Sequence, residues 1–357
     1  MKKLLAVLLV STTLLGLAGC SGSGGQGGTP ASAPPANSQA PENSKAPESK
    51  DPAGSAEDLS SLKVAVLVPG SPTDGGFCQL GAEAGHAIQT ELGCETTVIE
   101  AATADKIKSE AEALADEGYN IIFGHGGEYA SPFAEISGDY PDTWFVTCGG
   151  NEISANQFPF NITFEESTYV AGVLMAMMSE TGKLGMMVGG DYPAYTKTTR
   201  AMEMGAKSVN PDMECMYAVL TNTDMNEAYE TTMNQINAGA DFVFSNADAG
   251  TLGSLKAANE KGVYSIGALA DYSSEAPESC IISCICSYDM AYIAAVKACA
   301  AGIDEPQILF SGMADGAVSL VWNENLKSKV PQEVVDAVDD TVAKIISGEI
   351  HVPNEYE

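Results

Sequence analysis

The feature that most restricts this chain is a repeated alternation of short apolar runs with segments of helical spacing. The runs fall at 63–69, 96–100, 120–124, 144–148, 184–188, 216–220, 241–245, 264–267, 281–286 and 308–310. Most are continuously apolar rather than alternating, which suits strands covered on both faces, as in parallel sheets. Between them, Phe77, Leu80, Ala84, Ile88 and Leu92 follow three- and four-residue spacing before Gly93. Ile107, Ala111 and Leu114 do the same before Gly118. Further helices are predicted over 167–180, 195–209, 225–238, 252–260, 289–300 and 332–346. Strand–helix alternation builds right-handed βαβ units and doubly wound α/β sheets. From residue 62 onward about 296 residues are available, enough for two lobes of about 148.

The sequence before residue 62 reads differently. Lys2 and Lys3 precede an apolar stretch over 4–17 that is shorter than the ~20 residues a spanning helix needs. A basic start, a short apolar middle and small residues after it describe a secretory signal peptide over 1–19. Leu17-Ala18-Gly19-Cys20 has the form of a bacterial lipobox, in which Cys20 carries the lipid. Acyl chains contribute roughly 0.8 kcal/mol per buried CH₂, so several make a lasting membrane anchor. Over 21–60, 20 of 40 residues are Gly, Pro or Ser and none is aromatic. Such a segment buries too little to fold, so 20–61 reads as a lipidated, flexible tether. The expected location is the extracytoplasmic face of the cell membrane.

Composition excludes several classes. The 48 acidic residues against 17 basic ones give a formal net charge of -31, which no nucleic-acid partner would favour. Three His, at 86, 125 and 351, are too few for a His-built metal centre, and none is expected. Neither a G-x-S-x-G nucleophile elbow nor a phosphate-binding P-loop occurs, so the chain is not expected to be an enzyme or to carry a cofactor. The eight cysteines beyond Cys20 sit mostly in apolar runs, where Cys acts as a small hydrophobe, and are expected to be free thiols.

In open α/β sheets, ligands sit beyond the carboxyl ends of the strands. Residues there include Asp74-Gly75-Gly76-Phe77, Gly124-His125-Gly126-Gly127-Glu128, Cys148-Gly149-Gly150-Asn151 and Gly190-Asp191. Asn246-Ala247-Asp248, Asp271 and Asp315 follow later runs. Acidic and amide groups with aromatic faces suit a neutral, hydroxyl-rich or heterocyclic small molecule. The candidate ligand-binding residues are therefore Asp74, Phe77, His125, Glu128, Asn151, Asp191, Asn246, Asp248, Asp271 and Asp315. Phe77 and Asp271 carry the most specific expectation: a flat ligand stacked on Phe77 and hydrogen-bonded to Asp271 from the opposite lobe. Asn246 and Asp248 have a plainer reading as helix N-caps.

From about residue 62 to 353 the chain resembles the basic membrane protein (BMP) family, whose best-described members are purine-nucleoside-binding lipoproteins of ABC importers. The resemblance is carried by Asp74-Gly75-Gly76-Phe77-Cys78-Gln79, Gly118-Tyr119-Asn120-Ile121-Ile122-Phe123-Gly124, Phe164-Glu165-Glu166 through Ala171-Gly172, and Thr181-Gly182-Lys183-Leu184-Gly185. It continues through Ala206-Lys207-Ser208-Val209-Asn210-Pro211, Gly239-Ala240-Asp241-Phe242-Val243, Ala314-Asp315-Gly316 and Ile345-Ile346-Ser347-Gly348-Glu349-Ile350. It implies a type I periplasmic-binding-protein fold: two doubly wound parallel-sheet lobes joined by three crossovers. Lobe 1 is expected over 62–160 plus 281–307, and lobe 2 over 161–280 plus 308–357. It also implies an ABC permease as partner and Phe77 as the residue that stacks on a base. The family's Asn beside that Phe is Cys78 here, and its Lys before Asp-Gly is Ala314. A nucleoside, a free purine base and another small polar heterocycle all remain open as ligands. A ligand-sensing lipoprotein that signals to a membrane receptor is the alternative role.

The anchor is open to a direct check. Cys20→Ser, which lacks the thiol that is acylated, is expected to move the protein into the medium or leave it unprocessed. Membrane fractionation of the variant reads the outcome, and unchanged partition would remove the anchor.

Overall fold

The computed structural model describes residues 58–73, 77–303 and 305–354, so the signal peptide, Cys20, most of the tether and Asp74 lie outside the described residues. The first lobe opens with β1 (Lys63–Val68), α1 (Phe77–Leu92), β2 (Glu95–Glu100), α2 (Ala104–Asp116), β3 (Ile121–Gly124), α3 (Ala130–Ile136), β4 (Trp144–Cys148) and β5 (Gln157–Ile162). The chain then crosses over. It builds α4 (Glu165–Met178), β6 (Lys183–Val188), α5 (Pro193–Val209), β7 (Glu214–Val219), α6 (Met225–Asn237), β8 (Phe242–Asn246), α7 (Gly250–Lys261), β9 (Tyr264–Leu269) and β10 (Cys280–Cys286). It returns for α8 (Tyr288–Ala301) and β11 (Leu309–Ser311). A third crossing leads to β12 (Val318–Trp322), α9 (Glu324–Lys327) and α10 (Gln332–Ile346).

The two sheets run β11-β5-β4-β3-β1-β2 and β12-β10-β9-β8-β6-β7, one pattern used twice. The described ladders are parallel except β10 with β12. Central strands such as β3 and β8 are buried at every position, because helices cover both sheet faces. Edge strands β2 and β7 read as polar-apolar mixtures and stay partly exposed. This is the type I periplasmic-binding-protein arrangement, with both lobes in one compact unit. No helix among the described residues is long and apolar enough to cross a membrane.

Two strands and two short helices differ from the sequence expectation, α9 being only four residues long. β5 carries Pro159 at its centre, a residue that argues against an interior strand. The carbonyls of Asn156 and Phe160 face β4, so the missing N–H of Pro159 faces the opposite edge. There β11 begins only opposite Phe160, and no ladder bond is lost. β12 alternates buried and exposed positions as an antiparallel edge, unlike the continuous runs elsewhere. α3 is seven residues long, too short to show a periodicity. The lobe boundaries also shift. β10 lies between β9 and β12, so 280–286 belongs to the second lobe rather than the first, while β11 pairs with β5 and places 309–311 in the first. Among the described residues the eight cysteines of the body form no disulfide; five are buried and three partly so.

Helices in the second lobe approach each other through glycine. A Cβ on Gly172 of α4 would lie 2.0 Å from the Met202 carbonyl oxygen of α5, and one on Gly205 of α5 would lie 2.0 Å from that of Tyr169. Gly253 of α7 meets the Met225 carbonyl of α6 in the same way. Because the obstructing atoms are backbone, no rotamer change can relieve them. Gly172→Ala is therefore expected to cost about 1–3 kcal/mol and lower the melting temperature by roughly 2–12 °C. Gly138→Ala, with open space around it, is the matched control and should melt like the parent in a calorimetric scan.

Candidate functional site

The carboxyl ends of both sheets face a cleft of about 380 Å³, within the range of about 300–1,000 Å³ usual for small-molecule sites. It is lined from the first lobe by Phe77, Cys148-Gly149-Gly150 and Asn161, and from the second by Tyr195, Asn246, Asp248 and Leu269. Cys286 and Tyr288, on either side of the second crossover, complete it. Another cavity of about 400 Å³ lies between β12 and α10, away from the strand carboxyl ends, and its lining is mainly aliphatic.

Phe77 is the first residue of α1, and 43% of its surface is open. One face of its ring stacks on His125, with centroids 3.9 Å apart and planes at 27°, and the edge of Tyr288 stands 6.2 Å away. His125 itself is fully buried. Its Nε2 lies 2.7 Å from the Phe77 carbonyl, and its Nδ1 lies 2.7 Å from the Tyr292 hydroxyl. A carbonyl can only accept, so Nε2 carries a proton. On another side a Cβ on Gly81 would meet the imidazole ring at 2.6 Å, so glycine is what leaves room for it. His125 thus forms a rigid backing for Phe77 and is absent from the cleft lining, whereas Phe77 presents its ring to the cleft.

The glycine loop after β4 has φ of +90° at Gly149 and +92° at Gly150. Asn161 donates from Nδ2 to the Gly150 carbonyl at 3.0 Å and ties that loop to β5. In the second lobe the Tyr195 hydroxyl donates to Asp248 at 2.7 Å. Burial and then this carboxylate hold the Tyr195 phenol far above its usual range. Lys197 pairs with Glu165 at 3.0 Å and donates to the Ile162 carbonyl at 3.1 Å. Burial pushes the Cys286 thiol up to about 12, with the Lys197 charge opposing it, and pushes the Cys148 thiol and the Tyr288 phenol higher still. The thiols and phenols of the wall are therefore neutral at pH 7. The Lys197 cation is already matched by a carboxylate, which favours an uncharged ligand.

The sequence-derived candidates separate accordingly. Phe77, Asn246 and Asp248 line the cleft. Glu128 is exposed, its carboxylate folded over Gly126, and Asn151 is exposed in the loop after β4. Asp191 faces a separate groove with Arg200 and Tyr217. Asp271 accepts from the backbone N–H of Ser273 at 2.9 Å and from its hydroxyl, a closed local turn outside the lining. Asp315 accepts from the Gly312 N–H at 3.3 Å within the third crossover. Tyr288 and Leu269 were not singled out, although Leu269 ends β9 and Tyr288 stands two residues beyond β10. Leu269 is neither polar nor aromatic, the two kinds of side chain for which strand ends were read, and Tyr288 already opens the next helix. Lys197 stands four residues into α5, beyond the reach of that rule.

Residues 61–356 match the Bmp family, described as ABC transporter substrate-binding protein PnrA-like. A purine-binding protein of Brucella abortus is 27% identical over 304 residues, covering 84% of this chain and 85% of its own. Basic membrane protein D of Borreliella burgdorferi is 27% identical, covering 81% of this chain and 87% of its own. Among solved structures, an ABC transporter solute-binding protein from Conexibacter woesei superposes with a TM-score of 0.65 at 20% identity. It covers 83% of this chain and all of its own, which bears on the fold alone.

Base–aromatic stacking is worth roughly 1–3 kcal/mol, so Phe77→Ala is expected to weaken binding of adenine, as a flat-ring probe, by about five- to a hundredfold. Asp271→Ala, at an exposed turn, should stay within about twofold. Calorimetric titration of both variants, with circular dichroism to confirm the fold, reads the difference.

Proposed function

Since the chain belongs to the Bmp family of PnrA-like ABC transporter substrate-binding proteins, we propose that it is the lipid-anchored, extracytoplasmic receptor of an importer for a purine base, nucleoside or similar heterocycle. Members of this family bind substrates and are not enzymes. The observation that carries the ligand class is the open ring of Phe77, held flat by a buried His125 on the wall of a cleft between two lobes. The purine-binding relative supports the same class. A ligand stacked on Phe77 that also touches Asn246 or Leu269 spans both lobes. Its binding energy then favours the state in which they are closed, the form a permease can distinguish from the empty one. Lipidation at Cys20 and the tether keep the receptor at the membrane, where the permease would be found.

A thermal-shift screen of the purified protein against adenine, hypoxanthine, inosine, ribose and glucose tests the ligand class. A ligand at 100 times its Kd stabilises by about 2.7 kcal/mol, enough to raise the melting temperature by several degrees. Shifts with the bases or inosine are expected; a shift with glucose or ribose and none with any base would overturn the reading.

A further inference from the structure

We infer that Asn246 reads the edge of the ring carried by Phe77, so that the cleft selects heterocycles presenting a hydrogen-bond donor beside an acceptor; this rests on the flat-ring reading above. Asn246 is the last residue of β8, is 3% exposed and lines the cleft. Its Oδ1 is buried and has no hydrogen-bond partner among the described residues. Buried polar side chains are nearly always paired, so an unpartnered one in a residue that lines a cleft points to a missing partner.

The plainer role for Asn at a strand-to-helix turn is capping, and Asn246 does not fill it here. α7 is preceded by Ala249 with no side-chain cap, and the Ala247 N–H donates instead to the Thr251 hydroxyl at 3.2 Å. That hydroxyl donates on to the Ser245 carbonyl, and Asp248 is engaged by Tyr195. The amide of Asn246 serves none of these. Its backbone is nonetheless fixed, because β8 lies between β6 and β9 and its carbonyl accepts from the Gly189 N–H at 2.9 Å.

The surrounding backbone supports a binding role. Asp248, at φ +46°, and Leu269, at φ +71°, are the non-glycine residues with left-handed backbone among those described, and both line this cleft. Such conformations persist where the surrounding structure imposes them, and they gather at ligand sites. Leu269 is 40% exposed and offers an apolar surface from the same lobe as Asn246.

A carboxamide sets one donor group beside one acceptor, and no protein hydrogen bond fixes which way this one points. It can therefore meet an amino-and-ring-nitrogen edge or, turned over, an oxo-and-N–H edge. It cannot make two bonds to an edge that has only acceptors. The six-membered-ring edges of 9-methyladenine and 9-methylhypoxanthine both qualify; 9-methylpurine, which has no N–H at all, does not.

Calorimetric titration of the purified full chain with 9-methyladenine, 9-methylhypoxanthine and 9-methylpurine tests this. The unaltered protein should bind the first two at least about tenfold tighter than 9-methylpurine. Asn246→Leu should abolish that difference by weakening the first two, leaving 9-methylpurine within about threefold. Equal binding of all three by the unaltered protein, or an equal loss for all three in the variant, overturns the inference while leaving the flat-ring reading intact. If none of the three binds and glucose does, the flat-ring reading fails and takes the inference with it. Should Asn246→Leu melt early, Asn246→Asp takes its place: it keeps the size but cannot donate. The affinity for 9-methyladenine must then fall about tenfold, and unchanged affinity overturns the proposal.

Discussion

The contact between Glu165 and Lys197 governs how the two lobes meet. Both side chains are buried, at 0% and 9% exposure, and lie 3.0 Å apart. Taking two charges out of water is costly, and a buried pair is poor grounds for claiming net stability. Removing one partner is a different matter, costing about 3–5 kcal/mol because the other charge is left uncompensated. What the pair contributes is position. Glu165 begins α4, Lys197 lies near the start of α5, and the same ammonium donates to the carbonyl of Ile162, the last residue of a first-lobe strand. One cation thereby joins the end of one sheet to two helices of the other lobe. The adjacent Glu166 accepts from the Met313 N–H at 2.7 Å in the third crossover, and burial pushes its carboxyl above the usual range. Two neighbouring carboxyls thus contact two of the three crossovers.

The first-lobe wall is built by contacts far apart in sequence. His125 lies at the end of β3 and Tyr292 in α8, and their hydrogen bond is what orients the imidazole behind Phe77. Tyr292 is itself buried against Phe123 and Phe160. The aromatic surface offered to a ligand is thus the outermost layer of a packed stack. Its position therefore depends on the core behind it.

Much of the fold was legible because covering both faces of a parallel sheet demands continuous apolar strands, and those stand out. The exceptions have physical causes: Pro159 is tolerated in β5 only because of where β11 starts, and β12 alternates because it is an antiparallel edge. In the site, Asn246 and Asp248 could be found because they stand at the end of a strand and just past it, and Phe77 because it opens the helix that follows the first strand. Asp271 and Asp315 had the same sequence credentials, but short local turns consume their carboxylates. His125 shows the limit most clearly. Its place after β3 suggested a ligand contact, and only the distant Tyr292 and the nearby Gly81 decide that the ring turns inward.

The cleft thiols have a bearing on how long such a molecule survives outside a reducing cytoplasm. Disulfide exchange and oxidation proceed through the thiolate. With the Cys286 thiol near 12, only about one molecule in 10⁵ carries it at pH 7. Cys148 is held higher still. The exclusion of water that gives a binding wall its grip also makes its sulfurs sluggish toward oxidation and exchange.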